Sequence, residues 1–465
     1  MDGNATSATE GGLSAAAAVP KRTARRPAIL IGATLAITSL LWLLGRLEAG
    51  DAGALWPWLA PSQLAMLLSF ACAALAIVAV VRAQALEPLF GGLDGAVRLH
   101  RRLGLWALLL LVAHVVLLAL DALRSGAPVW ALLVPFWSAE TRTIDIAVFY
   151  LLIGLGALAY DRTLRHERWL ALHRLIGLLF LLGTAHAALQ ESTIRIYEPL
   201  RTWIVILLLA GAAAWVYRVF LFRSFGPRYR YAVRRLRQQG ADTLDLTLRP
   251  LDRRMMYQPG TFVFLRVPSF AGQAGELHPF SLSSSPVERD LRLSIRQVGD
   301  FTRRLSGLAE GSEVEVFGAF GSFTPLQYAP YRRMVWIGAG IGISPFLGML
   351  SFERSNNDFR RIWIYYVTRR PEDAVYDAEL RDRHLEADSY VDYCQWSTAE
   401  RGRITAAAIA AEVAPLDDYA VMLCGQAAFV EDLARQFRSL GLPRERIILE
   451  ELQFRQPPSG SASKG

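Results

Sequence analysis

Two apolar stretches decide the architecture of this chain: RLHRRLGLWALLLLVAH (residues 98–114) and WLALHRLIGLLFLLGTAH (residues 169–186). Each carries two histidines, and an ionisable side chain within a membrane span costs free energy, so it indicates a function or a specific partner. His100 and His114 are 14 residues apart, nearly four helical turns and about 21 Å, and therefore share one face. His173 and His186 are 13 residues apart, about 20 Å.

These histidines are predicted to pair at two depths. As the third and fifth spans, the two helices cross the bilayer in the same direction, so His100 lies level with His173, and His114 with His186. Two such pairs favour two haem irons, one in each leaflet. Hydrogen bonding between helices is the alternative for any one of them. Thirteen residues turn a straight helix by a net 220° or so, hence pairing at both levels requires an irregularity in the fifth span.

Six stretches are long enough to cross a bilayer, which takes roughly 20 apolar residues. They are approximately residues 27–45, 62–82, 103–123, 143–160, 168–190 and 199–222. Arginine-rich connections alternate with acidic ones, so the positive-inside rule predicts a cell-membrane protein with both termini and the soluble half in the cytoplasm. The first stretch follows Lys21 and Arg22 and also resembles a signal peptide, but its length and the five later spans favour an uncleaved span.

Composition supports this placement. The chain has 465 residues, 53% of them hydrophobic, and the apolar excess is concentrated in the first half. The net charge of +8 comes largely from arginines at the ends of apolar stretches, which is typical of membrane topology and argues against nucleic-acid binding. Three cysteines, Cys72, Cys394 and Cys424, fit neither a disulfide framework nor a zinc site, so the soluble half is expected in a reducing compartment.

The soluble half divides into two patterns. Residues 226–330 show short alternating strands between glycine and proline turns, which predicts an antiparallel sheet or barrel. Residues 331–455 alternate strand, glycine turn and helix, which predicts a parallel α/β domain. The predicted fold class is thus a six-helix transmembrane bundle (residues 27–225), an antiparallel β-barrel and an α/β nucleotide-binding domain. Residues 1–26 and 456–465 are predicted to be disordered tails.

Two glycine-containing segments point to phosphate binding. In IRQVGDFTRRL (295–305), Gly299 to Thr302 begin a helix whose backbone N–H groups can receive a pyrophosphate. IGAGIGISPF (337–346) follows an apolar strand and opens a helix, and its glycines allow close backbone approach to a pyrophosphate. Arg369 and Arg370, after the next strand, can bind the 2′-phosphate of NADPH; two solvated surface arginines are the alternative.

Together with HPFSLSS (278–284), these stretches resemble the NADPH oxidase and ferric reductase family, and a prokaryotic member is expected. That family joins a transmembrane haem domain to a ferredoxin-reductase-type FAD and NAD(P) module. The resemblance implies that two b-type haems are bound by His100, His114, His173 and His186. Arg101, Arg102 and Arg174 are candidates for the haem propionates, or they mark the membrane boundary.

The resemblance also implies the residues that bind the other cofactors. For FAD they are His278, Pro279, Phe280, Ser281, Gly299, Asp300, Phe301 and Thr302. For NADPH, with NADH as the alternative, they are Gly338, Gly340, Gly342, Ser344, Pro345, Arg369, Arg370, Cys424 and Gly425. Ser281 is expected near flavin N5 and Cys424 near the nicotinamide, in a motif where Gln426 replaces the usual proline. Phe454 is expected to stack on the flavin, so these last three are the catalytic candidates.

The implied function is electron transfer from cytosolic NADPH through FAD and two haems to a small-molecule acceptor across the bilayer. O2, giving superoxide, and ferric iron are the candidate acceptors, and Leu118, where animal oxidases have a further histidine, weighs against oxygen chemistry of that style. The alternative is a membrane-anchored NAD(P)H flavin reductase that serves a cytosolic, protein or quinone acceptor. A transporter with a nucleotide-sensing domain is disfavoured, because the spans are mostly Leu, Ala, Val and Ile.

Overall fold

A computed structural model describes most of the chain. The described residues are 26–48, 58–135, 140–159, 164, 166–190, 194, 197–270, 276–328, 331–355, 360–386, 390–413 and 418–451. Both predicted disordered tails lie outside them, apart from Arg26.

The first half forms six long helices. They are α1 Arg26–Glu48, α2 Leu59–Ala79, α3 Gly92–Ser125, α4 Glu140–Ala159, α5 His166–Gln190 and α6 Glu198–Val216. Five of these are long and apolar enough to cross a membrane, and Thr143–Ala159 within α4 is a shorter apolar helix. The α2 segment is 72% buried, against 11–22% for the other four, so α2 is the central helix.

The connections between these helices reach towards the soluble half. The short helix Glu87–Phe90 links α2 to α3, and α3 begins at Gly92, well before the predicted apolar stretch, because Leu93 and Ala96 are buried against the soluble half. After α6, a π-helical turn (Tyr217–Leu221) and the short helix Phe222–Phe225 lead directly into the first strand.

Six antiparallel strands follow. They are β1 Arg228–Gln239, β2 Thr243–Pro250, β3 Phe262–Arg266, β4 His278–Ser281, β5 Leu291–Arg296 and β6 Glu313–Phe320, in the order β4-β3-β6-β1-β2-β5. Alternate side chains such as Tyr231, Leu246, Val263 and Leu293 fill one core, as the period-2 pattern predicts. The sheet curls into a half-barrel, and the helix α7 Asp300–Arg304 lies before β6.

The last part is a parallel sheet with the strands β7 Arg333–Ala339, β8 Arg361–Thr368, β9 Val391–Ser397, β10 Tyr419–Gly425 and β11 Ile447–Glu451. The strand order is β11-β10-β7-β8-β9. The main connecting helices are α8 Ser344–Ser355, α9 Asp377–Glu386, α10 Ala406–Val413 and α11 Ala427–Ser439. The predicted fold class is confirmed, and the strand order reverses between β7 and β10, where such sheets bind ligands.

Candidate functional site

The structure brings His100 of α3 and His173 of α5 together between two apolar helices. Their Nε2 atoms are 3.4 Å apart, and the ring centroids are 5.6 Å apart at an interplanar angle of 76°. Trp169, one turn before His173, stacks on it with centroids 4.9 Å apart and planes 6° apart. A metal ion bound to both imidazoles at about 2.0–2.1 Å would need the two nitrogens roughly 4 Å apart, so a small separation of α3 and α5 suffices.

The central helix fixes the orientation of the α3 histidines. His100 Nδ1 lies 2.8 Å from the carbonyl oxygen of Ala76, and His114 Nδ1 lies 3.0 Å from that of Ser62. His114 Nδ1 also lies 2.9 Å from the Ser62 hydroxyl, which can donate to it. A carbonyl oxygen only accepts, so Nδ1 of His100 carries the proton and its Nε2 keeps its lone pair. That is the tautomer an imidazole needs to bind a metal through Nε2, and the arrangement is typical of the hydrogen bonds behind metal-binding histidines.

The other predicted level is arranged differently. His186 Nε2 lies 3.2 Å from Asp145 Oδ1 on α4, while His114 is held by α2, so the two histidines have partners on different helices. The net turn of about 220° between His173 and His186 explains this, because it directs the two α5 histidines towards different neighbours. Sequence reasoning missed Asp145; its signal was a carboxylate one turn into an apolar helix.

The predicted flavin-binding residues converge at the edge of the antiparallel sheet. His278, at the start of β4, stacks on Phe301 of α7 with ring centroids 3.7 Å apart, and Phe280 lies 6.5 Å from the same ring. Pro279 lies between them on β4, which pairs with β3 and is one of the two edge strands of the sheet. Ser281 is buried, and its hydroxyl makes no hydrogen bond with any residue that the structure describes. A polar group in that state suits a cofactor partner.

The second flavin segment has a preformed helix start. The backbone N–H of Gly299 donates to Thr302 Oγ1 at 3.0 Å, and that hydroxyl donates back to the Gly299 carbonyl. Asp300 is exposed in the first turn. These bonds fix the first turn of α7 next to His278 and Phe301. A pyrophosphate placed there would meet the backbone N–H groups of that turn.

The nicotinamide segment lies where the order of the parallel sheet reverses. A Cβ at Gly342 would be 2.4 Å from the carbonyl oxygen of Cys424, and a Cβ at Gly338 would be 2.7 Å from the Cα of Ile343. Gly340 has φ +55° and faces open space. Only glycine permits this approach of the β7 turn to β10, so the two predicted NAD(P)H segments meet through backbone contact.

The remaining predicted residues of this segment differ in exposure. Ser344 and Pro345 are buried at the start of α8. Cys424 is also fully buried, in a hydrophobic cluster with Phe346. Gly425 ends β10, where an added Cβ would be 3.0 Å from that of Ala339. Phe454 lies outside the described residues.

The two arginines after β8 are in different states. The guanidinium of Arg370 is held by Asp373 Oδ1 and Glu372 Oε1, both at 3.3 Å. Arg369 is exposed, and within the described chain its side chain has no carboxylate at ion-pair distance. Arg369 is therefore the arginine that is available to a phosphate.

A buried polar network joins the two sheets. Arg292 of β5 donates to Asp245 on β2 at 2.7 Å and to Glu379 on α9 at 2.9 Å, and Tyr376 donates to Asp245 at 2.7 Å. Burial alone would raise the pKa of Asp245, but the charge and hydrogen bonds of Arg292, with hydrogen bonds from Tyr376 and Gln239, lower that pKa below its ordinary value. The network fixes the flavin-binding sheet against the nucleotide-binding domain.

The flavin-binding sheet is also docked on the membrane helices. Glu87 Oε1 accepts the backbone N–H of Gly321, just after β6, at 2.5 Å, and that of Leu93 on α3 at 3.1 Å. Ser322 donates to the carbonyl of Gly91 at 3.1 Å, and Gln84 donates to the carbonyl of Gly318 at 3.0 Å. The aromatic residues Phe222, Phe262, Phe264, Phe317 and Phe320 pack beneath these contacts. We call residues 80–93 the docking segment.

Three families of known proteins match the chain in sequence order. The ferric reductase like transmembrane component matches residues 65–184, the FAD-binding domain residues 228–327, and the oxidoreductase NAD-binding domain residues 336–435. The first match contains His100, His114 and His173, and the second contains the predicted flavin segments.

Individual relatives each match half of this chain or less. NADPH oxidase 1 of Mus musculus is 29% identical over 37% of this chain and 30% of its own length. A superoxide-generating NADPH oxidase heavy chain of Dictyostelium discoideum is 24% identical over 50% of this chain and 36% of its own length. The ferredoxin reductase component of the 3-ketosteroid-9-alpha-monooxygenase of Rhodococcus rhodochrous is 26% identical over 46% and 62%.

The chain thus spans less than two thirds of each of these relatives. The three domain families nevertheless occur together and in order, on a fold with apolar helices followed by an antiparallel and a parallel sheet. The expected resemblance to the NADPH oxidase and ferric reductase family is confirmed: in this chain a ferric reductase-like transmembrane component is joined to an FAD-binding domain and an oxidoreductase NAD-binding domain.

Proposed function

We propose that this protein carries electrons from NADPH across a membrane, through FAD and two b-type haems, to O2 or ferric iron on the opposite side. The observation that carries the proposal is the pair of facing Nε2 atoms of His100 and His173, 3.4 Å apart between two apolar helices. The flavin-binding sheet docks next to this pair through the docking segment. The docking segment therefore connects the flavin-binding sheet, which would supply the electrons, to the helix that carries His100.

The residues fit the expected cofactors. His100 and His173 would hold the haem nearer the FAD-binding domain, and His114 and His186 the more distant one, for which the Nε2 of His186 would have to turn from Asp145 to the iron. When bound, FAD takes a hydride from NADPH and releases electrons singly, which haem iron requires. The Ala76 carbonyl of α2 keeps the Nε2 lone pair of His100 available for iron.

The residues of the flavin and nucleotide segments would orient the two cofactors. His278 and Phe301 form a stacked floor, and the unbonded hydroxyl of Ser281 is the candidate donor to the flavin. The glycines of the β7 turn bring the pyrophosphate-binding backbone against Cys424. Arg369 supports NADPH over NADH, because its guanidinium has no competing carboxylate among the described residues.

Orientation follows from charge. The docked soluble domains lie at the arginine-rich ends of the spans, which supports a cell-membrane protein with these domains in the cytoplasm. Leu118, one turn beyond His114, places an apolar side chain near the distal level. Ferric iron is therefore the acceptor to test first.

The test is a visible spectrum of the detergent-purified protein with FAD after anaerobic addition of NADPH. Flavin bleaching together with the α-band of reduced low-spin b haem is expected, and His173→Leu should lose one haem per chain in a pyridine assay. His166→Leu, two turns earlier on α5 and outside the predicted ligand set, is the control. Flavin bleaching in protein that contains no haem would reduce the function to a membrane-anchored flavin reductase.

A further inference from the structure

Four arginines lie close enough for their charges to repel one another where the membrane helices meet the flavin-binding domain. We call Arg82, Arg174, Arg218 and Arg223 the junction arginines. The guanidinium carbons of Arg82 and Arg218 lie 5.6 and 5.7 Å from the centre of the same Phe222 ring. Arg174 of α5 is joined to this group by Trp215 of α6, whose indole N–H donates to the Arg174 carbonyl at 3.2 Å.

Aromatic rings, rather than carboxylates, are the partners of the junction arginines Arg82 and Arg218 in the part of the chain that the structure describes. None of the four has a carboxylate at ion-pair distance among the described residues, whereas nearby Arg266 is paired with Glu315 at 2.5 Å. Arg82 is half-buried and has φ +61°, a backbone conformation that residues other than glycine rarely adopt. Like charges held together in partial burial favour the binding of an anion that offsets their repulsion.

The surroundings identify the kind of anion. Beside the junction arginines, Val216, Phe220 and Phe225 on the sixth helix and its extension expose 41%, 62% and 73% of their surface, on the outside of the bundle. A ligand that satisfies both features has an anionic head and long apolar chains.

We propose that the junction arginines bind the phosphate of an anionic phospholipid, whose acyl chains lie along the exposed apolar surface of the sixth helix. Basic pockets between membrane helices on the arginine-rich side are suited to such head groups. Arg82 connects this site to the flavin-binding domain, because its guanidinium lies 3.8 Å from the ring centre of Phe264 on β3. The bound lipid therefore stabilises the docked domain. The proposal concerns binding and does not rest on the proposed electron transfer.

Binding is tested on the full-length protein in detergent by native mass spectrometry with dioleoyl-phosphatidylglycerol and, separately, dioleoyl-phosphatidylcholine. Wild type should retain one phosphatidylglycerol and no specific phosphatidylcholine. Arg218→Gln should weaken retention of phosphatidylglycerol about tenfold, the effect of losing one charge-assisted hydrogen bond. Arg98→Gln is the matched control. Arg98 is an exposed arginine near the start of α3, makes no ion pair with any described residue and is not one of the junction arginines.

Three outcomes would overturn the proposal. One is equal retention of the two lipids by wild type. Another is the same loss in Arg98→Gln as in Arg218→Gln, which would indicate general surface charge. The third is Arg218→Gln that retains phosphatidylglycerol but loses haem in the pyridine assay, which would assign the cluster to a propionate. If Arg218→Gln is too unstable to purify, Arg223→Gln, at the exposed position, serves the same comparison.

Discussion

Replacing Glu87 by alanine should weaken the docking of the flavin-binding domain on the membrane helices without changing any predicted cofactor ligand. One carboxylate oxygen of Glu87 accepts both the backbone N–H of Gly321, from the flavin-binding domain, and that of Leu93, from α3. Only the first of these bonds crosses between the domains. The second orders the start of α3, so the substitution affects the junction from both sides.

The size of the effect follows from the bond that crosses the junction. A hydrogen bond to a charged group contributes about 1.5–3 kcal/mol, which corresponds to a roughly 10- to 150-fold shift in the docking equilibrium. The bonds of Gln84 and Ser322 remain in the variant, as does the aromatic packing. The docking should therefore be weakened rather than abolished.

Stopped-flow spectroscopy separates the two half-reactions. Glu87→Ala should reduce the rate of haem reduction by NADPH about tenfold or more, while flavin bleaching and NADPH-dependent ferricyanide reduction stay within twofold of wild type. Glu310→Ala, an exposed carboxylate in the turn before β6, is the control and should leave both rates unchanged. The role of this contact would be refuted if Glu87→Ala reduced haem at the wild-type rate. It would also be refuted if the rate of flavin bleaching fell as much as the rate of haem reduction.

Three further predictions concern the soluble domains. Gly342→Ala should raise the KM for NADPH at least tenfold in steady-state assays, because its Cβ would meet the carbonyl of Cys424 at 2.4 Å. Arg369→Gln should raise the KM for NADPH about tenfold but not that for NADH, whereas Arg370→Gln should change both little. The folded pKa of Asp245 is lowered, so its stabilisation is complete above about pH 3.9 and is lost as the pH falls through the folded value. Urea midpoints of wild type and Asp245→Asn should therefore differ at pH 7 and converge in strong acid.

Periodicity and composition were sufficient for the fold. Apolar runs predicted all six helices, and the change from alternating strands to strand, glycine turn and helix predicted both sheets in order. The glycine turn also identified a real steric requirement, since Gly342 contacts β10 through backbone atoms. These features succeed because they depend on local sequence and on the backbone.

The parts that sequence could not supply depend on the packing of distant segments. Glu87 and Gly321 are 234 residues apart, and neither belongs to a recognisable motif. Arg369 and Arg370 are equivalent in sequence, but only the second turns towards Asp373. His186 pairs with Asp145 because of how α4 and α5 pack, which the spacing of histidines along α5 alone could not show.

Hydrogen bonds to the central helix α2 fix the orientation of the α3 histidines, and the sequence carries no motif that predicts these bonds. Ala76 and Ser62 are 14 residues apart on α2, the same spacing as His100 and His114 on α3. Ala76 is among the last four residues of α2, whose carbonyls lack a partner within the helix, so the His100 N–H satisfies a group that would otherwise be unpaired. Because the acceptors are backbone atoms, replacing the Ala76 side chain preserves the bond, and the residue carries no chemical signal. The length and register of α2, rather than the identity of the side chain at position 76, thus set the tautomer of His100.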